Sequence, residues 1–154
     1  MTTQPDKLEP HKLETLPVAR KDKDPALIIY FDGICGFCNA AINFLMKLDA
    51  GGKLVYAPLQ GETAQRFLPL SDVKNLKTLI VTLDGQIYRR SAAVVRILWQ
   101  LGGYWSVLGT FLWIIPAPLR DLGYRLFARF RYRLFGTLDA CRMPQPGERD
   151  RFLP

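Results

Sequence analysis

The sequence predicts a single α/β domain with a mixed sheet flanked by helices and a helical extension at its C-terminal end. Its 154 residues are enough for one compact domain. Strand-like and helix-like patterns follow one another in the order β-α-β-α-β-β-α. A helix between the first two strands implies a parallel pair, whereas the Asp84-Gly85 turn between the last two implies an antiparallel hairpin. The sheet is therefore expected to be mixed.

The first half of the chain supplies two strands and two helices after a polar tail. Residues 1–25 hold four prolines among mostly charged and polar residues and lack the apolar core of a signal peptide, so we expect a disordered tail. Apolar runs predict the strands, and apolar residues at three- and four-residue steps predict the main helix. The expected elements are a strand at 26–31, a helix at 35–49, a strand at 54–57 and a short helix at 62–68.

The second half begins with the hairpin and continues as helices. Apolar and β-branched residues predict strands at 78–83 and 86–89, and Ser91 is expected to cap a helix at 92–101. Residues 97–119 then carry no charge, a run of 23 residues that is long enough to suggest a membrane span. Gly102-Gly103 and Pro116 interrupt this run and leave a helix at 104–115. Its length favours packing in the core or on a partner over contact with a membrane surface, and favours a span least.

Residues 120–135 predict another amphipathic helix, with two rows of side chains at four-residue spacing. The apolar row consists of Leu122, Leu126, Phe130 and Leu134, and the arginine row consists of Arg125, Arg129 and Arg133. We interpret the apolar row as the packed face and the arginine row as a solvated face, with docking on an acidic partner or lipid as the alternative. Residues 138–154 contain three prolines and are expected to form a surface strap.

Composition and charge exclude several classes of protein. Three cysteines do not make a secreted disulfide scaffold, and the single histidine, His11, lies in the tail, where it cannot orient a catalytic base. These counts argue against Ser-His-Asp hydrolases, Cys-His proteases and His-rich metal sites. The net charge of +7 favours weak attraction to anionic surfaces. Arginines interleaved with large apolar residues, without a nucleic-acid-binding motif, give no expectation of a nucleic-acid partner.

The residues that point to chemistry follow the first strand, where the sequence reads DGICGFC at 32–38. Disulfide exchange needs a thiolate that attacks a disulfide and a second thiol that resolves the mixed disulfide. Two intervening residues on a first helical turn bring two thiols together, and the N–H groups of a helix N-terminus stabilise a thiolate. We expect Cys35 to be exposed at the turn as the nucleophile, and Cys38 to be shielded on the apolar side of the helix as the resolving thiol.

Other interpretations of the cysteines and of Asp32 remain open. The cysteines are alternatively inert, or ligands of a zinc site that would need Cys141 and a fourth ligand, for which His11 is a poor candidate. Redox chemistry is favoured over both, so we expect neither a metal nor a cofactor. Asp32 either accepts a proton from Cys38 during resolution or caps the strand-to-helix turn, and capping is favoured. Cys141 is expected to anchor the strap, with a third redox thiol as the alternative.

Several separated segments together resemble the Asp-Cys-Cys (DCC) family of thiol-disulfide oxidoreductases over residues 26–154. They are DGICGFC at 32–38, YRRSAA at 88–93, RYRLFG at 131–136, Cys141, and RFL at 151–153. The resemblance implies a thioredoxin-like fold and protein-disulfide oxidoreductase activity, with the family's cysteines at Cys35 and Cys38 and its acid at Asp32.

The chain departs from thioredoxins proper at the loop that would face the two cysteines. Thioredoxins place a cis-proline there, but the matching residues, Leu76-Lys77-Thr78, include no proline. A cis bond without proline costs roughly 3–4 kcal/mol. A trans peptide is therefore expected, together with a different mode of substrate docking.

We expect the chain to exchange disulfides, in the reductase direction, with a protein disulfide or a small thiol. Without an export signal, the expected compartment is the cytoplasm, where thiols stay reduced. The alternative is a non-catalytic binding module that docks a membrane protein or helix through the aromatic residues of 104–113 and the arginine-rich helix. Contact with a membrane surface through the same residues is the further partner to consider.

Overall fold

The computed structural model describes residues 27–76, 78–139 and 143–154. Four strands form one sheet in the order β2-β1-β3-β4. Strand β1 pairs parallel with β2 and antiparallel with β3, and β3 pairs antiparallel with β4. The strands are β1 (Leu27–Phe31), β2 (Leu54–Pro58), β3 (Ile80–Leu83) and β4 (Gln86–Arg89). The predicted mixed sheet is confirmed, and with its flanking helices it forms a thioredoxin-like α/β fold.

Six α-helices and one 3₁₀ turn are present among the described residues. They are α1 (Gly36–Leu48), α2 (Glu62–Phe67), α3 (Leu70–Lys74), α4 (Arg90–Leu101), α5 (Gly103–Ile114), α6 (Ala117–Phe135) and the 3₁₀ turn Arg149–Arg151. Helix α3 is an element that the sequence did not predict. The division into a tail at 1–25 and a domain at 26–154 stays a prediction, since residues 1–26, including His11, lie outside the described residues.

Strand β1 is the centre of the core because every one of its five residues is buried. Alternate side chains point to opposite faces of a strand, and the two faces of β1 meet two separate apolar clusters. Leu27, Ile29 and Phe31 pack with residues of α1 and α4. Ile28 and Tyr30 pack with residues of α2 and the C-terminal segment. Burial on both faces explains why the strand reads as a continuous apolar run.

The start of α4 differs from the prediction. The helix begins at Arg90, and no side chain caps it. Ser91 is buried inside the first turn, where its hydroxyl donates to Asp121 and accepts from Arg120 Nε at 2.8 Å. The capping role predicted for Ser91 is therefore wrong: a serine near a helix start serves here to bind α6.

Helix α5 is largely exposed, so the core packing expected for it is wrong, and its packing on a partner stays a prediction. Gly109 is its only buried residue, whereas Tyr104 is 76% exposed and Ile114 is 67% exposed. A side chain at Gly109 would lie 2.9 Å from Trp99 Cδ1, so glycine permits the close approach of α5 to α4. No helix in the described ranges is long and apolar enough to cross a bilayer.

Helix α6 presents the opposite face to the one predicted. It begins at Ala117, before the predicted start at 120, because Pro116 and Pro118 suit the first positions of a helix. The apolar row is exposed, from 41% at Phe130 to 70% at Leu134. Ala128 and Arg131 are the buried residues instead. The prediction that the apolar row packs against the domain is wrong.

The C-terminal segment lies along β2, as expected of a strap. The Leu153 N–H donates to Tyr56 O at 2.8 Å, and Thr63 N–H donates to Pro154 O at 2.8 Å. Leu153 is buried in the core, and Arg151 forms an ion pair with Asp49. Cys141 lies outside the described residues, so its predicted anchoring role stays a prediction.

Candidate active site

The turn between β1 and α1 carries both cysteines of the motif. Asp32 O accepts the Cys35 N–H at 3.3 Å, which closes the turn. Cys35 is the N-cap of α1, and its Sγ accepts the Cys38 N–H at 3.4 Å. Asn39 fixes the same turn, because its Nδ2 donates to Gly33 O and Cys35 O at 2.9 Å each. The expected placement of the two thiols on the first turn of a helix is confirmed.

Cys35 is completely buried, so the expectation that it is exposed is wrong. Residues 136–138, which follow α6, lie against its backbone and form what we call the cover segment. Thr137 forms an antiparallel bridge with Cys35, and Leu138 N–H donates to Ile34 O at 2.7 Å. Gly36 N–H donates to Gly136 O at 3.3 Å. Residues a hundred positions away therefore pair with the backbone of the turn that the local sequence predicts to be open.

Gly36 permits this covering. A Cβ at residue 36 would lie 2.6 Å from Phe135 O, closer than any real side chain approaches a backbone oxygen. Gly136 has φ +71°, a backbone conformation that favours glycine. The glycine between the two cysteines and the glycine that ends α6 together let the two backbones meet.

Cys38 is shielded as predicted, with 8% of its surface exposed. Burial raises the pKa of the Cys38 thiol to about 12, against the opposing positive charge of Arg131. The side-chain hydrogen bond to Cys35 and the charge of Asp32 also raise this pKa. The Cys38 thiol therefore holds its proton at neutral pH and donates toward Cys35.

A buried arginine, Arg131, contacts the Cys38 sulfur. Its Nη1 lies 3.4 Å from Cys38 Sγ, and only 4% of the residue is exposed. Its Nη2 donates to Leu76 O at 3.0 Å and to Tyr132 Oη at 3.2 Å. The guanidinium thus joins the Cys38 thiol to the loop before β3, at the position where a thioredoxin has its cis-proline. The neighbouring Lys77 lies outside the described residues.

Asp32 caps the turn and anchors Tyr132. Its Oδ1 accepts from Ile34 N at 3.2 Å and from Gln60 Nε2 at 2.9 Å, and its Oδ2 accepts from the Tyr132 hydroxyl. Arg131 Nη2 lies 3.8 Å from Oδ2. The favoured capping interpretation of Asp32 matches these bonds. Its action as a proton acceptor from Cys38 stays a prediction.

Sequence reasoning missed four side chains of this site: Asn39, Gln60, Arg131 and Tyr132. Arg131 and Tyr132 entered only as part of a family-like segment, without a role. One signal was present for Arg131, since it falls outside the four-residue spacing of the arginine row. An arginine out of step with a solvated row is a candidate for a buried partner.

The described residues contain no cluster of three side chains that could bind a metal. Two ligands considered for a zinc site, Cys141 and His11, lie outside these residues. The structure describes two adjacent thiols at a helix start: Cys35 Sγ accepts the Cys38 N–H, and burial raises the pKa of the Cys38 thiol to about 12. Such a pair can attack a disulfide and then resolve the mixed disulfide.

Comparison with known proteins agrees with this chemistry. The family model for DCC1-like thiol-disulfide oxidoreductases matches residues 29–137. The protein YuxK of Bacillus subtilis strain 168 is 35% identical over 132 residues, which cover 84% of this chain and 96% of YuxK. A chloroplastic DCC family protein of Arabidopsis thaliana is 29% identical over 132 residues, covering 84% of this chain and 76% of that protein. No solved structure matches the chain significantly.

Proposed function

The chain belongs to the DCC1-like thiol-disulfide oxidoreductase family, and on that premise we propose that Cys35 is its nucleophile and Cys38 its resolving thiol. The observation that carries this assignment is the asymmetry of the two sulfurs. Cys35 Sγ accepts a backbone N–H at the start of α1, whereas the Cys38 thiol, with a pKa of about 12, keeps its proton. A sulfur that receives hydrogen bonds at the positive end of a helix is suited to be the thiolate.

The proposed reaction reduces a substrate disulfide by two electrons. The Cys35 thiolate attacks one sulfur, a mixed disulfide forms, and the other substrate sulfur leaves as a thiolate that takes up a proton. Cys38 then loses its proton and attacks Cys35 Sγ, which forms the Cys35–Cys38 disulfide and releases the second substrate thiolate. An external thiol donor returns the two electrons to the protein.

Arg131 and Asp32 serve the second step. Arg131 Nη1 lies on Cys38 Sγ, so its charge stabilises the thiolate that forms there. Asp32 is the carboxylate whose charge acts on the Cys38 thiol, and we assign it as the acceptor of the proton, which then passes to the departing substrate sulfur.

The first step requires the cover segment to move. Cys35 has no exposed surface while residues 136–138 lie over it. Two backbone hydrogen bonds hold the segment in place, so opening it costs only a few kcal/mol. Its backbone already pairs antiparallel with Cys35, and an extended substrate segment could pair in the same way once the cover segment has left. A protein disulfide is therefore the proposed substrate, with a small thiol compound as the simpler choice.

The reductase direction and the cytoplasm are part of the proposal. In a reducing compartment the Cys35–Cys38 pair is regenerated as the dithiol after each turnover, which supplies the attacking thiolate. One relative, a DCC family protein, is named as chloroplastic.

A redox titration with thiol counting tests the proposal. The expected result is one reversible two-electron couple that requires both Cys35 and Cys38 and that persists in Cys141→Ser. Cys35→Ser should abolish disulfide reduction, and Cys38→Ser should trap mixed disulfides with substrates. If Cys35→Ser traps them instead, the two roles are reversed.

A different function follows if the titration finds no couple. The exposed aromatic residues of α5 then favour a binding module, in which the cysteines do no chemistry. The binding partner in that case is a membrane protein or helix, and the arginine-rich face of α6 completes the contact.

A further inference from the structure

Exposed apolar side chains are concentrated on α5 and α6. Fourteen of the nineteen large apolar residues that are exposed in the described ranges lie between positions 104 and 135. Phe111 is 65% exposed, Trp113 59% and Leu119 61%, besides the apolar row of α6. A concentration of this kind is unusual on a domain that works alone in water.

Three of these exposed side chains, Ile115, Leu119 and Phe127, line one opening. An open apolar cleft of about 460 Å³ is lined by Leu112 of α5, by Ile115 in the turn that follows it, and by Leu119, Gly123 and Phe127 of α6, together with Ser91 and Val94 of α4. The two helices therefore present their apolar residues around the same opening. We call the exposed apolar residues of α5 and α6, with this cleft, the outer surface.

The outer surface carries positive charge at its edge. Residues three apart on a helix are separated by about 60° around its axis, so the arginine row runs beside the apolar row. All three arginines of that row are exposed. Asp121 is the only acid between positions 103 and 138, and its carboxylate is bound to Ser91. Arginine is therefore in large excess over acidic residues along α5 and α6.

We propose that the outer surface docks on an anionic lipid bilayer. The apolar row, Phe111 and Trp113 would enter the boundary between headgroups and acyl chains, and the arginine row would contact lipid phosphates. A second copy of the chain fits less well, because a symmetric contact would bring two arginine rows together. This inference is independent of the proposed thiol chemistry.

Vesicle flotation of the full-length protein tests this docking. One set of vesicles is phosphatidylcholine alone, and the other contains phosphatidylglycerol as well. We expect binding to the anionic vesicles at low salt, weaker binding at high salt, and little binding to phosphatidylcholine. Each arginine near an anionic surface strengthens binding roughly fivefold, so Arg125→Glu with Arg129→Glu should weaken it by about 25-fold or more.

Matched variants distinguish binding through the outer surface from nonspecific hydrophobic binding and from an effect of net charge. Leu122→Glu with Leu126→Glu should abolish binding, whereas Leu70→Glu, at a residue that is 70% exposed on α3, should not change it. Lys47→Glu with Lys53→Glu changes the net charge as much as the arginine pair does. It should weaken binding to anionic vesicles clearly less than the arginine pair does.

Three results would overturn the proposal. The first is the absence of binding to anionic vesicles, and the second is equal loss in the test and control variants. The third is a dimer in sedimentation velocity that Leu122→Glu with Leu126→Glu dissociates while the wild-type protein ignores vesicles. In that case the outer surface joins two copies of the chain.

Discussion

The two faces of α6 differ in chemistry and in burial: the inner face places polar side chains at the thiol site, and the outer face exposes apolar side chains. On the inner face, Arg131 and Tyr132 are bound to Cys38, Leu76 and Asp32. On the outer face, the apolar row stands in contact with water. An ordinary surface helix buries its apolar face and exposes its charges. Helix α6 does the reverse at these positions: its inner face contacts the thiol site, and its exposed apolar row fits the docking proposed for the outer surface.

The difference also explains how a charged group can be buried here. A buried guanidinium is tolerated only where its N–H groups find acceptors and an opposite charge. The inner face supplies Cys38 Sγ, Leu76 O, the Tyr132 hydroxyl and the Asp32 carboxylate. The side chains of the apolar row need neither hydrogen-bond partners nor an opposite charge. That row is therefore free to be covered by an apolar environment from outside the domain.

The largest effect is expected from removing the buried charge of Arg131 on the inner face. Arg131→Met keeps the apolar length of the side chain but leaves Asp32 without its nearby cation and Leu76 O without its donor. We expect the free energy of unfolding to fall by about 3 kcal/mol, as for other buried charges that lose a partner. Urea unfolding measures this loss.

The same substitution should slow the resolving step. The charge of Arg131 lowers the pKa of Cys38, so its removal raises that pKa further and leaves less thiolate. Arg129→Met, at an exposed position one half-turn away, is the matched control and should change stability by less than about 0.5 kcal/mol. Equal losses in the two variants would mean that the inner face has no special role.

A smaller effect is expected from removing the hydroxyl group of Tyr132 on the inner face. Tyr132→Phe deletes the hydrogen bond that the hydroxyl donates to Asp32. We expect a loss of about 2 kcal/mol in the free energy of unfolding, since hydrogen bonds to charged groups are the stronger class. Gln60 and Ile34 N–H still bind the Asp32 carboxylate, so the fold itself should persist.

The pH dependence gives a second measurement on Tyr132. Burial and the hydrogen bond to Asp32 raise the pKa of Tyr132 to about 12 from its usual 10. A group whose pKa is raised in the folded state adds to the free energy of unfolding while it is protonated. For Tyr132 this contribution is complete below pH 10 and is lost as the pH rises toward 12. The difference between wild type and Tyr132→Phe should therefore narrow over this interval. A constant difference would show that the hydroxyl does not titrate in this way.

Much of the sheet and the motif could be predicted, because local signals are enough for them. The apolar run before Asp32 and the Asp84-Gly85 turn define β1 and the hairpin, and the Cys-x-x-Cys spacing fixes the thiols on a helix start. Periodicity also located the two rows of α6.

What could not be predicted depends on contacts between distant parts of the chain. Periodicity gives the rows of a helix but not which row meets the sheet, and the rule that apolar rows pack inward gave the wrong face of α6. The contact between Arg131 and Cys38 joins residues 93 positions apart. The cover segment pairs with Cys35 across a similar separation in the chain, and nothing near the motif indicates that residues 136–138 return to it.

The end of α6 offers a way to change the inner face without touching its charge. Gly36→Ala places a Cβ where Phe135 O now lies, so the cover segment must shift. Losing its backbone contacts costs on the order of 1.4 kcal/mol, which corresponds to about tenfold more open protein. Iodoacetamide should then react with Cys35 about tenfold faster, measured with Cys38 and Cys141 replaced by serine.

Gly123→Ala is the control for this substitution. It adds the same methyl group within α6, where nothing lies within 4 Å of the new atom. Its rate of Cys35 alkylation should equal that of the parent. If Gly36→Ala also leaves the rate unchanged, access to Cys35 is not limited by the cover segment.

The smallest expected change in the free energy of unfolding is that of a substitution on the outer face of α6, and it can be compared directly with the same side chain on the inner face. Leu126→Gln replaces a residue that is 57% exposed with another good helix former, so the free energy of unfolding should change by less than about 0.5 kcal/mol. Ala128→Gln puts the same side chain two positions away on the buried inner face, where overpacking and an unpaired amide should cost about 2 kcal/mol or more. Urea unfolding of the two variants compares one residue type on both faces of one helix. If Leu126→Gln proved as costly as Ala128→Gln, another part of the same chain would cover the apolar row in solution, and the outer surface would not be free to meet a bilayer.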